Sequence, residues 1–282
     1  MALPRSEYLS DVWRNGIFDN KVVFCTGGAG TICSAQVRAM VHLGANACII
    51  GRNPSKTESM AKSISTARPG SKVIGIGGVD VRNIKSLDSA VETCVKELGG
   101  IDFVIAGAAG NFISPLEGLS SNAFRTVLEI DTLGSFNTLK ATLPHLIKSA
   151  SAHPNKASNP NTGGVDAISA TAALEYGPRG ITSNVITPGP IEGTEGMARL
   201  GDKESEASGD AQRRNPLGRY GTVKEIADGT VYLFSDAGSF VNGEVLVIDG
   251  GNWRHPGGMA GGKRYPDYLL DDTFVRRKES KL

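Results

Sequence analysis

The sequence predicts an α/β fold in which helices cover both faces of a parallel sheet. Short runs rich in β-branched residues alternate with segments of helical length, which is typical of repeated βαβ units in a doubly wound sheet. The first run leads directly into a glycine-rich turn and then into a helical segment. No internal repeat and no long linker interrupts this pattern. The 282 residues are therefore predicted to form a single domain, residues 1–282.

The individual strands and helices follow this alternation in chain order. The predicted strands are the apolar runs Val22–Cys25, Ala47–Ile50, Val73–Ile76, Phe103–Ala106, Ser183–Ile186 and Glu244–Ile248. The predicted helices are the longer segments near Ile32–Leu43, Pro54–Ser65, Ile84–Leu98, Asn122–Lys148, Val165–Tyr176 and Val223–Phe234. Residues 1–20 are an N-terminal extension, and residues 255–282 are a C-terminal tail.

One segment breaks the alternation. Residues 149–164, SASAHPNKASNPNTGG, include two prolines and three asparagines and lack Val, Ile, Leu and Phe. A central parallel strand is buried on both faces and is normally a continuous apolar run, so the usual fifth strand is predicted to be missing. An alternative is a weak strand over Gly163–Thr171 that ends at Ser169. Helical spacing of the apolar residues there favours a helix instead.

Composition and charge exclude several classes of protein. With 30 Lys and Arg against 29 Asp and Glu, the net charge of +1 argues against nonspecific nucleic-acid binding as the main activity. The four cysteines form no CxxC pair, so neither a disulfide framework nor a metal site is predicted. No apolar stretch is long enough for a membrane span, and the N-terminus lacks the apolar core of a signal peptide. An intracellular protein is expected.

The last three residues predict where in the cell the protein acts. Ser280-Lys281-Leu282 is the tripeptide that a peroxisomal import receptor reads at a C-terminus. The sequence therefore predicts a peroxisomal location and the import receptor as a partner.

A glycine-rich turn joins the first predicted strand to the first predicted helix. Such a turn lets main-chain N–H groups approach a pyrophosphate, and the helix dipole favours the anion. The residues of this turn and of the helix start are Gly27, Gly28, Ala29, Gly30, Thr31 and Ile32. The pattern indicates a Rossmann-like dinucleotide site; the alternative is a purely structural turn.

Arg52, directly after the second strand, indicates which dinucleotide is bound. Folds that bind NAD place an acidic residue here for the ribose 2′-hydroxyl, whereas an arginine accommodates the 2′-phosphate of NADP. Ser55 and Lys56 are candidate helpers. The alternative is a solvated arginine at a strand end.

Asp80 and Val81 follow the third predicted strand and suit the adenine ring. The Asp80 carboxylate would accept a hydrogen bond from the adenine amino group, and Val81 would pack against the ring. The alternative is that Asp80 caps the helix that begins near Ile84.

With these residues identified, the chain resembles the short-chain dehydrogenase/reductases, and among them the peroxisomal 2,4-dienoyl-CoA reductases. The resemblance covers nearly the whole chain. The segments that carry it are CTGGAGTIC, GAAGNF, NAFRTVLEIDTLGSFN, EYGPRGITSNVITPGPIEGTEG, NPLGRYGTVKEIA and VNGEVLVIDGG. It implies NADPH-dependent reduction of 2,4-dienoyl-CoA to 3-enoyl-CoA in the β-oxidation of unsaturated fatty acids, by a homo-oligomer.

The resemblance also implies roles for particular residues. Asp131 matches the aspartate that replaces the usual active-site asparagine in these reductases, which lack the family's tyrosine, and it would handle the proton together with a lysine and a water. Further cofactor contacts are implied at Ala108, Ala109, Gly110, Pro188, Gly189, Ile191 and Thr194, with Pro188–Thr194 covering the nicotinamide. Substrate contacts are implied at Arg82 and Arg199, on the CoA phosphates, and at Phe112, Ser120, Ser121 and Asn122, along the acyl or pantetheine path.

The chain departs from the family pattern at several positions. Thr31 and Cys33 stand where the family has glycines, for which Gly28 and Gly30 compensate, and Ala106 replaces an asparagine. The chain also passes from Gly164 directly to Val165, which omits the segment that bears the family's active-site lysine.

Two residues could be mistaken for that lysine, and the loss leaves other functions open. Tyr220 and Lys224 match a YxxxK spacing, but Gly221 and Thr222 indicate a turn between them; Lys156 is a remote substitute. The alternative function is therefore a catalytically impaired relative that retains dinucleotide binding or subunit association. A 3-oxoacyl or alcohol reductase would need the missing tyrosine.

Overall fold

A six-stranded parallel sheet forms the centre of the computed structural model, which describes residues 3–110, 116–152, 156–160, 163–200, 206 and 208–254. Its strands are β1 (Val22–Thr26), β2 (Asn46–Ile50), β3 (Val73–Ile76), β4 (Phe103–Ala106), β5 (Lys156–Pro160) and β6 (Ile181–Ser183). They lie in the order β3-β2-β1-β4-β5-β6. Two further strands, β7 (Val185–Pro188) and β8 (Val245–Ile248), form a separate two-stranded sheet.

The helices follow the predicted alternation. They are α1 (Thr31–His42), α2 (Pro54–Ser65), α3 (Ile84–Leu98), α4 (Ser121–Leu128), α5 (Gly134–Ala152), α6 (Gly163–Tyr176), α7 (Glu195–Leu200), α8 (Asp210–Arg213) and α9 (Val223–Phe234). Asn53 and Asn83 start α2 and α3, because their side-chain oxygens accept hydrogen bonds from main-chain N–H groups of the first turn. None of the helices in the described part of the chain is both long and apolar enough to cross a membrane.

Burial on both faces of the sheet explains why its strands are apolar runs. In β1, Val23 and Cys25 join an apolar cluster that includes residues of α1 and α9. The alternate residues Val22 and Phe24 join a second cluster, with residues of α3 and α5. Because successive side chains of a strand point to opposite faces, helices cover both faces of this sheet. The predicted doubly wound α/β fold is confirmed.

The prediction that the fifth strand is missing is wrong. Residues Lys156–Pro160 of the polar segment form β5, which pairs with β4 through Val104 and Ser158 and with β6 through Lys156 and Ile181. Pairing in a sheet uses main-chain N–H and C=O groups, which a polar residue supplies as well as an apolar one. A vacant position would leave the edges of both neighbouring strands unpaired. That requirement outweighs the polarity of this segment.

The predicted helix over Asn122–Lys148 is interrupted. Between α4 and α5 the residues Glu129–Leu133 form a π-helical turn, and Asp131 in this turn is buried. Such turns insert one residue into a helix and are frequent at functional sites. The helical interpretation of the segment after Gly163 is confirmed, since α6 includes Ser169, whose hydroxyl lies 2.9 Å from the Ser183 hydroxyl.

The N-terminal extension packs against the core. Leu9 and Phe18 are fully buried, and the Phe18 ring lies 5.4 Å from the Phe103 ring in an edge-to-face contact. Asp228 in α9 accepts hydrogen bonds from the Ser10 hydroxyl (2.5 Å) and the Trp13 indole N–H (2.8 Å). These contacts anchor the extension to α9.

The chain divides into two compact units, Met1–Thr187 with Val223–Leu246, and Pro188–Thr222 with Val247–Leu282. The parallel sheet and its helices belong to the first unit. In the second, a bridge pairs Ile191 with Gly221, and the Asn215 side chain donates a hydrogen bond of 2.8 Å to the Asp249 carbonyl. The predicted C-terminal tail, residues 255–282, lies outside the described residues.

Candidate active site

The glycine-rich turn lies at the carboxyl edge of the sheet and has the form of a phosphate cradle. Gly27 has a φ of +65°, which favours glycine, and a Cβ there would lie 2.8 Å from the Gly107 carbonyl. A Cβ on Gly28 would lie 2.5 Å from the side chain of Ile49. The first turn of α1 begins after Gly30 without a side-chain cap and without an acidic residue, so its N–H groups suit an anion. Gly27, Gly28, Ala29, Gly30, Thr31 and Ile32 therefore fit a pyrophosphate.

The structure also explains how Cys33 replaces a glycine in this motif. The Cys33 side chain is buried, and its Sγ lies 3.6 Å from the Gly107 carbonyl oxygen. A Cβ on Gly107 would lie 2.3 Å from that sulfur. The room that glycine normally provides on the helix is therefore provided here by Gly107, on the loop after β4.

Two arginines and one carboxylate occupy the edge beyond β2 and β3. Arg82 donates a fork of hydrogen bonds of 2.6 to 3.1 Å to Asp80, and the Asp80 carboxylate also accepts from the main-chain N–H of Arg82 (3.0 Å). These hydrogen bonds lower the pKa of the Asp80 carboxyl, and the charge of Arg52 lowers it further. Arg52 is exposed, as a phosphate contact requires.

The alternative role of Asp80 as a helix cap is wrong, because Asn83 caps α3. Val81 is buried beside Asp80. Arg82 is predicted to contact CoA and Asp80 to contact adenine. In the structure these two side chains form an ion pair with each other.

Asp131 lies in the π-helical turn at this same edge. It is only 7% exposed, and its Oδ1 accepts a hydrogen bond of 2.8 Å from the main-chain N–H of Gly110. Burial raises the pKa of the Asp131 carboxyl, and the bond from Gly110 lowers it by less. Gly110 follows Ala108 and Ala109 in the loop after β4. The Ala108 N–H donates a hydrogen bond of 3.2 Å to the Thr26 hydroxyl. The structure thus brings the loop after β4 and the predicted proton-handling group together.

The residues predicted for the acyl path have mixed outcomes. The Ser120 hydroxyl accepts a hydrogen bond of 3.1 Å from Ala123 N–H and so caps α4, with Ser121 and Asn122 exposed in the first turn. Phe112 lies outside the described residues.

The second unit contains the remaining predicted residues. Thr194 starts α7: its hydroxyl donates to the Ile191 carbonyl (2.8 Å) and accepts from Met197 N–H (3.2 Å). Gly189 N–H donates to the Ile248 carbonyl (2.9 Å), which places Pro188 and Gly189 at the end of β7. Arg199 pairs with Glu195 one turn away at 2.5 Å and is largely exposed.

The candidates for the missing lysine do not match its expected place. Helix α6 contains no lysine. Lys156 is the first residue of β5, paired with Ile181, whereas the carboxyl edge of the sheet is reached at Pro160, paired with Ala106. Lys224 lies in the first turn of α9, which begins only after Tyr220, so the two do not share a helical face. Within the described residues, no group of three or more His, Cys, Asp or Glu side chains could hold a metal ion.

Known proteins are similar to this chain over most of its length. The family model described as enoyl-(acyl carrier protein) reductase matches residues 27–252. A peroxisomal 2,4-dienoyl-CoA reductase of Saccharomyces cerevisiae is 47% identical over 272 residues, covering 92% of each chain. The chain belongs to the short-chain dehydrogenase/reductase family. A 2,4-dienoyl-CoA reductase of Danio rerio, also peroxisomal, is 36% identical over 260 residues, covering 86% of this chain and 84% of its own.

Solved structures agree with this family. Levodione reductase matches with a TM-score of 0.74 at 25% identity, over 83% of this chain and 98% of its own. Carveol dehydrogenase of Mycobacterium avium, a structure in complex with NAD, matches with a TM-score of 0.73 at 23% identity, over 84% and 98%. At this identity the second match shows the fold alone.

Sequence reasoning missed three residues in the segment that carries Asp131. Glu129 pairs with Arg82 at 3.8 Å, the Asn137 side chain donates to the Val81 carbonyl, and Gly134 contacts the Val81 side chain. The glycine inside a predicted helix was a signal for a close contact, but nothing in the sequence identified its partner.

Proposed function

We propose that this chain reduces 2,4-dienoyl-CoA to 3-enoyl-CoA with NADPH, in the β-oxidation of unsaturated fatty acids. The observation that carries the proposal is the buried carboxyl of Asp131, with its raised pKa, at the carboxyl edge beside the phosphate cradle. The relatives named as 2,4-dienoyl-CoA reductases support the substrate class.

The cofactor residues fit NADPH by their chemistry. Bound NADPH would supply the hydride to the δ carbon of the conjugated thioester. Main-chain N–H groups of Gly28–Ile32 would hold the pyrophosphate, and Arg52 the 2′-phosphate. Val81 would pack against the adenine, with Asp80 accepting from its amino group. Around the nicotinamide we propose Ala108, Ala109 and Gly110, together with Pro188, Gly189, Ile191 and Thr194.

Asp131 would act as the general acid for the second half of the reaction. Hydride addition leaves negative charge on the thioester oxygen as a dienolate, and a proton must then reach the α carbon. The Gly110 N–H holds Oδ1, so Oδ2 is the oxygen that carries the proton. The raised pKa of Asp131 keeps more of the carboxyl protonated. The proton would pass to the α carbon directly or through a water that relays it.

The CoA thioester would contact both arginines and uncharged residues. Arg82 and Arg199 are the proposed contacts of its phosphates, since guanidinium groups match phosphate oxygens in a fork. Ser120, Ser121, Asn122 and Phe112 are the proposed contacts along the pantetheine and acyl path.

The test is an assay of the purified full chain with a 2,4-dienoyl-CoA, following NADPH oxidation and loss of the diene absorbance together. We expect equal consumption of NADPH and diene, a 3-enoyl product, and weaker turnover with NADH. A 2-enoyl-CoA of equal length is the matched control, because its δ carbon is saturated and cannot accept a hydride. Binding of NADPH without any turnover would contradict the proposal and indicate the impaired relative.

We also propose that the chain acts as a homo-oligomer in the peroxisome. A groove of about 480 Å³ between α5 and α6 is lined by apolar side chains such as Phe136, Leu143 and Ile168, and Phe136 is 45% exposed. Burial of such a face against a second copy would remove apolar surface from water. The names of the relatives support the peroxisomal location, with Ser280-Lys281-Leu282, outside the described residues, as the candidate signal for the import receptor.

A further inference from the structure

We propose that Val81, Gly134 and Asn137 are positioning residues that hold Asp131 in place from the adenine side of the site. The inference rests on the proposed function, because it concerns the residue assigned to proton transfer. It links the loop Asp80–Arg82, which follows β3, to the segment Glu129–Asn137, which carries Asp131.

The first contact is steric. A Cβ on Gly134 would lie 2.5 Å from Cγ2 and 3.1 Å from Cβ of Val81. The φ of Gly134 is −63°, an ordinary helical value, so glycine is needed here for space and not for backbone conformation. Val81 is 6% exposed and packs in the same apolar cluster as Ile130, the residue before Asp131.

Two polar contacts reinforce the first. The buried Asn137 side chain donates a hydrogen bond of 3.0 Å to the Val81 carbonyl oxygen. Arg82, held by Asp80, pairs with Glu129 at 3.8 Å. The loop therefore contacts the first residue of the π-helical turn, Glu129, and two residues just after the turn, Gly134 and Asn137.

The π-helical turn gives these contacts their importance. A π turn is less favourable than a regular α-helix, so it persists only where its surroundings hold it. Asp131 sits in its centre, with the Gly110 N–H on one carboxylate oxygen. A methyl group added to Gly134 would press against Val81 and displace the turn. This displacement would lengthen the Gly110 hydrogen bond and expose the Asp131 carboxyl to water. Val81 thus holds the acid in place through its contact with Gly134.

The test substitutes Gly134→Ala, Val81→Ala and both together, in the full-length chain. The titration of Asp131 is followed by carboxyl carbon NMR in the free protein, with Asp131→Asn identifying the signal. We expect Gly134→Ala to move the midpoint toward that of an exposed aspartate and to lower kcat roughly 10- to 100-fold, as displacement of a catalytic group by about 1 Å does. Val81→Ala in that background makes room for the added methyl and should restore most of the midpoint shift.

Two further variants keep the test independent of folding. Asn137→Ala removes the hydrogen bond to the Val81 carbonyl without adding volume beside Gly134, and it should move the midpoint in the same direction. Gly100→Ala is the control, since a Cβ there meets nothing within 4 Å. An unchanged Asp131 midpoint in both Gly134→Ala and Asn137→Ala would overturn the inference, as would a double variant in which the two effects simply add.

Failure of the proposed function is a separate result. If Asp131→Asn turns over the dienoyl substrate normally, Asp131 is not the acid. The carboxyl titration still decides whether Val81, Gly134 and Asn137 position it, because that readout requires no turnover.

Discussion

The main-chain N–H of Gly110 donates a hydrogen bond of 2.8 Å to Oδ1 of the buried Asp131 carboxyl. This bond joins the loop after β4 to the π-helical turn and fixes one carboxylate oxygen, which leaves the other for a proton. The Gly110 bond favours the ionised form, but burial favours the neutral form more strongly. The raised pKa favours the protonated form of Asp131, which is the form that the proposed reduction would use.

Asp131→Asn should abolish most turnover without loss of NADPH binding. The amide preserves size and can still accept the Gly110 bond, but it cannot donate a proton to carbon. A general acid contributes about 10²- to 10⁴-fold to kcat, so its loss should lower kcat by a similar factor. Steady-state assay with NADPH fluorescence titration checks both parts, and an unchanged kcat would contradict the assignment.

The raised pKa of Asp131 also predicts how activity and stability depend on pH. Activity that requires the protonated acid falls as pH rises through the folded-state pKa. Because folding raises this pKa, the folded state binds more protons than the unfolded state between the two values, so this group's contribution to stability is lost as pH rises through the folded-state pKa. Asp131→Asn should therefore raise the melting temperature relative to the unmodified chain near pH 7, because the amide carries no charge to bury. The increase in melting temperature should be smaller at a pH below the ordinary aspartate pKa, where Asp131 is itself neutral. Equal gain at both pH values would refute this.

Arg52→Ala should weaken NADPH binding and leave NADH binding nearly unchanged. Hydrogen bonds to a charged group contribute about 1.5–3 kcal/mol, or roughly 10- to 100-fold in dissociation constant. Fluorescence titration with both cofactors measures the difference. Lys62→Ala, an exposed cation on α2, is the control. Equal weakening of both cofactors would mean that Arg52 does not contact the 2′-phosphate.

Gly107→Ala should destabilise the fold through Cys33. The new methyl would lie 2.3 Å from the Cys33 sulfur, and overpacking of this kind costs about 1–3 kcal/mol. Cys33→Ala in the same chain removes the sulfur and should recover most of the lost stability. Urea unfolding of the two single variants and the double variant measures the coupling, and simple additivity would exclude the contact as its cause.

Asp228→Ala should release the N-terminal extension. The carboxylate accepts from Ser10 and from the Trp13 indole, and their loss should lower the free energy of unfolding by about 1–3 kcal/mol. Trp13 should become more exposed, which fluorescence quenching measures. Asp88→Ala, an exposed residue of α3, is the control. Unaltered quenching of Trp13 would show that Asp228 does not anchor the extension.

Phe136→Glu should convert the proposed oligomer to a monomer. A charge placed in the apolar groove between α5 and α6 must lose its hydration if a second copy covers it. Phe240→Glu is the matched control, because Phe240 is fully exposed and lies elsewhere on the chain. Light scattering after size-exclusion chromatography gives the mass, and a wild-type monomer would refute the proposal directly.

The sequence by itself determined the βαβ alternation, the glycine-rich turn and the residues Arg52, Asp80 and Asp131. Apolar periodicity and a glycine-rich turn are local features, so they can be detected in one sequence. The role expected of Asp131 comes from a family resemblance that covers nearly the whole chain. The predicted single domain and the individual site roles stay predictions.

Tertiary structure alone decided the fifth strand and the surroundings of Asp131. Lys156–Pro160 forms a strand because β4 and β6 offer unpaired main-chain groups on either side, a demand that its own side chains do not reveal. The contacts of Val81 with Asn137 and Gly134, next to the π-helical turn, likewise form only after folding. Contacts between distant segments set both features, and a pattern read along the chain does not contain them.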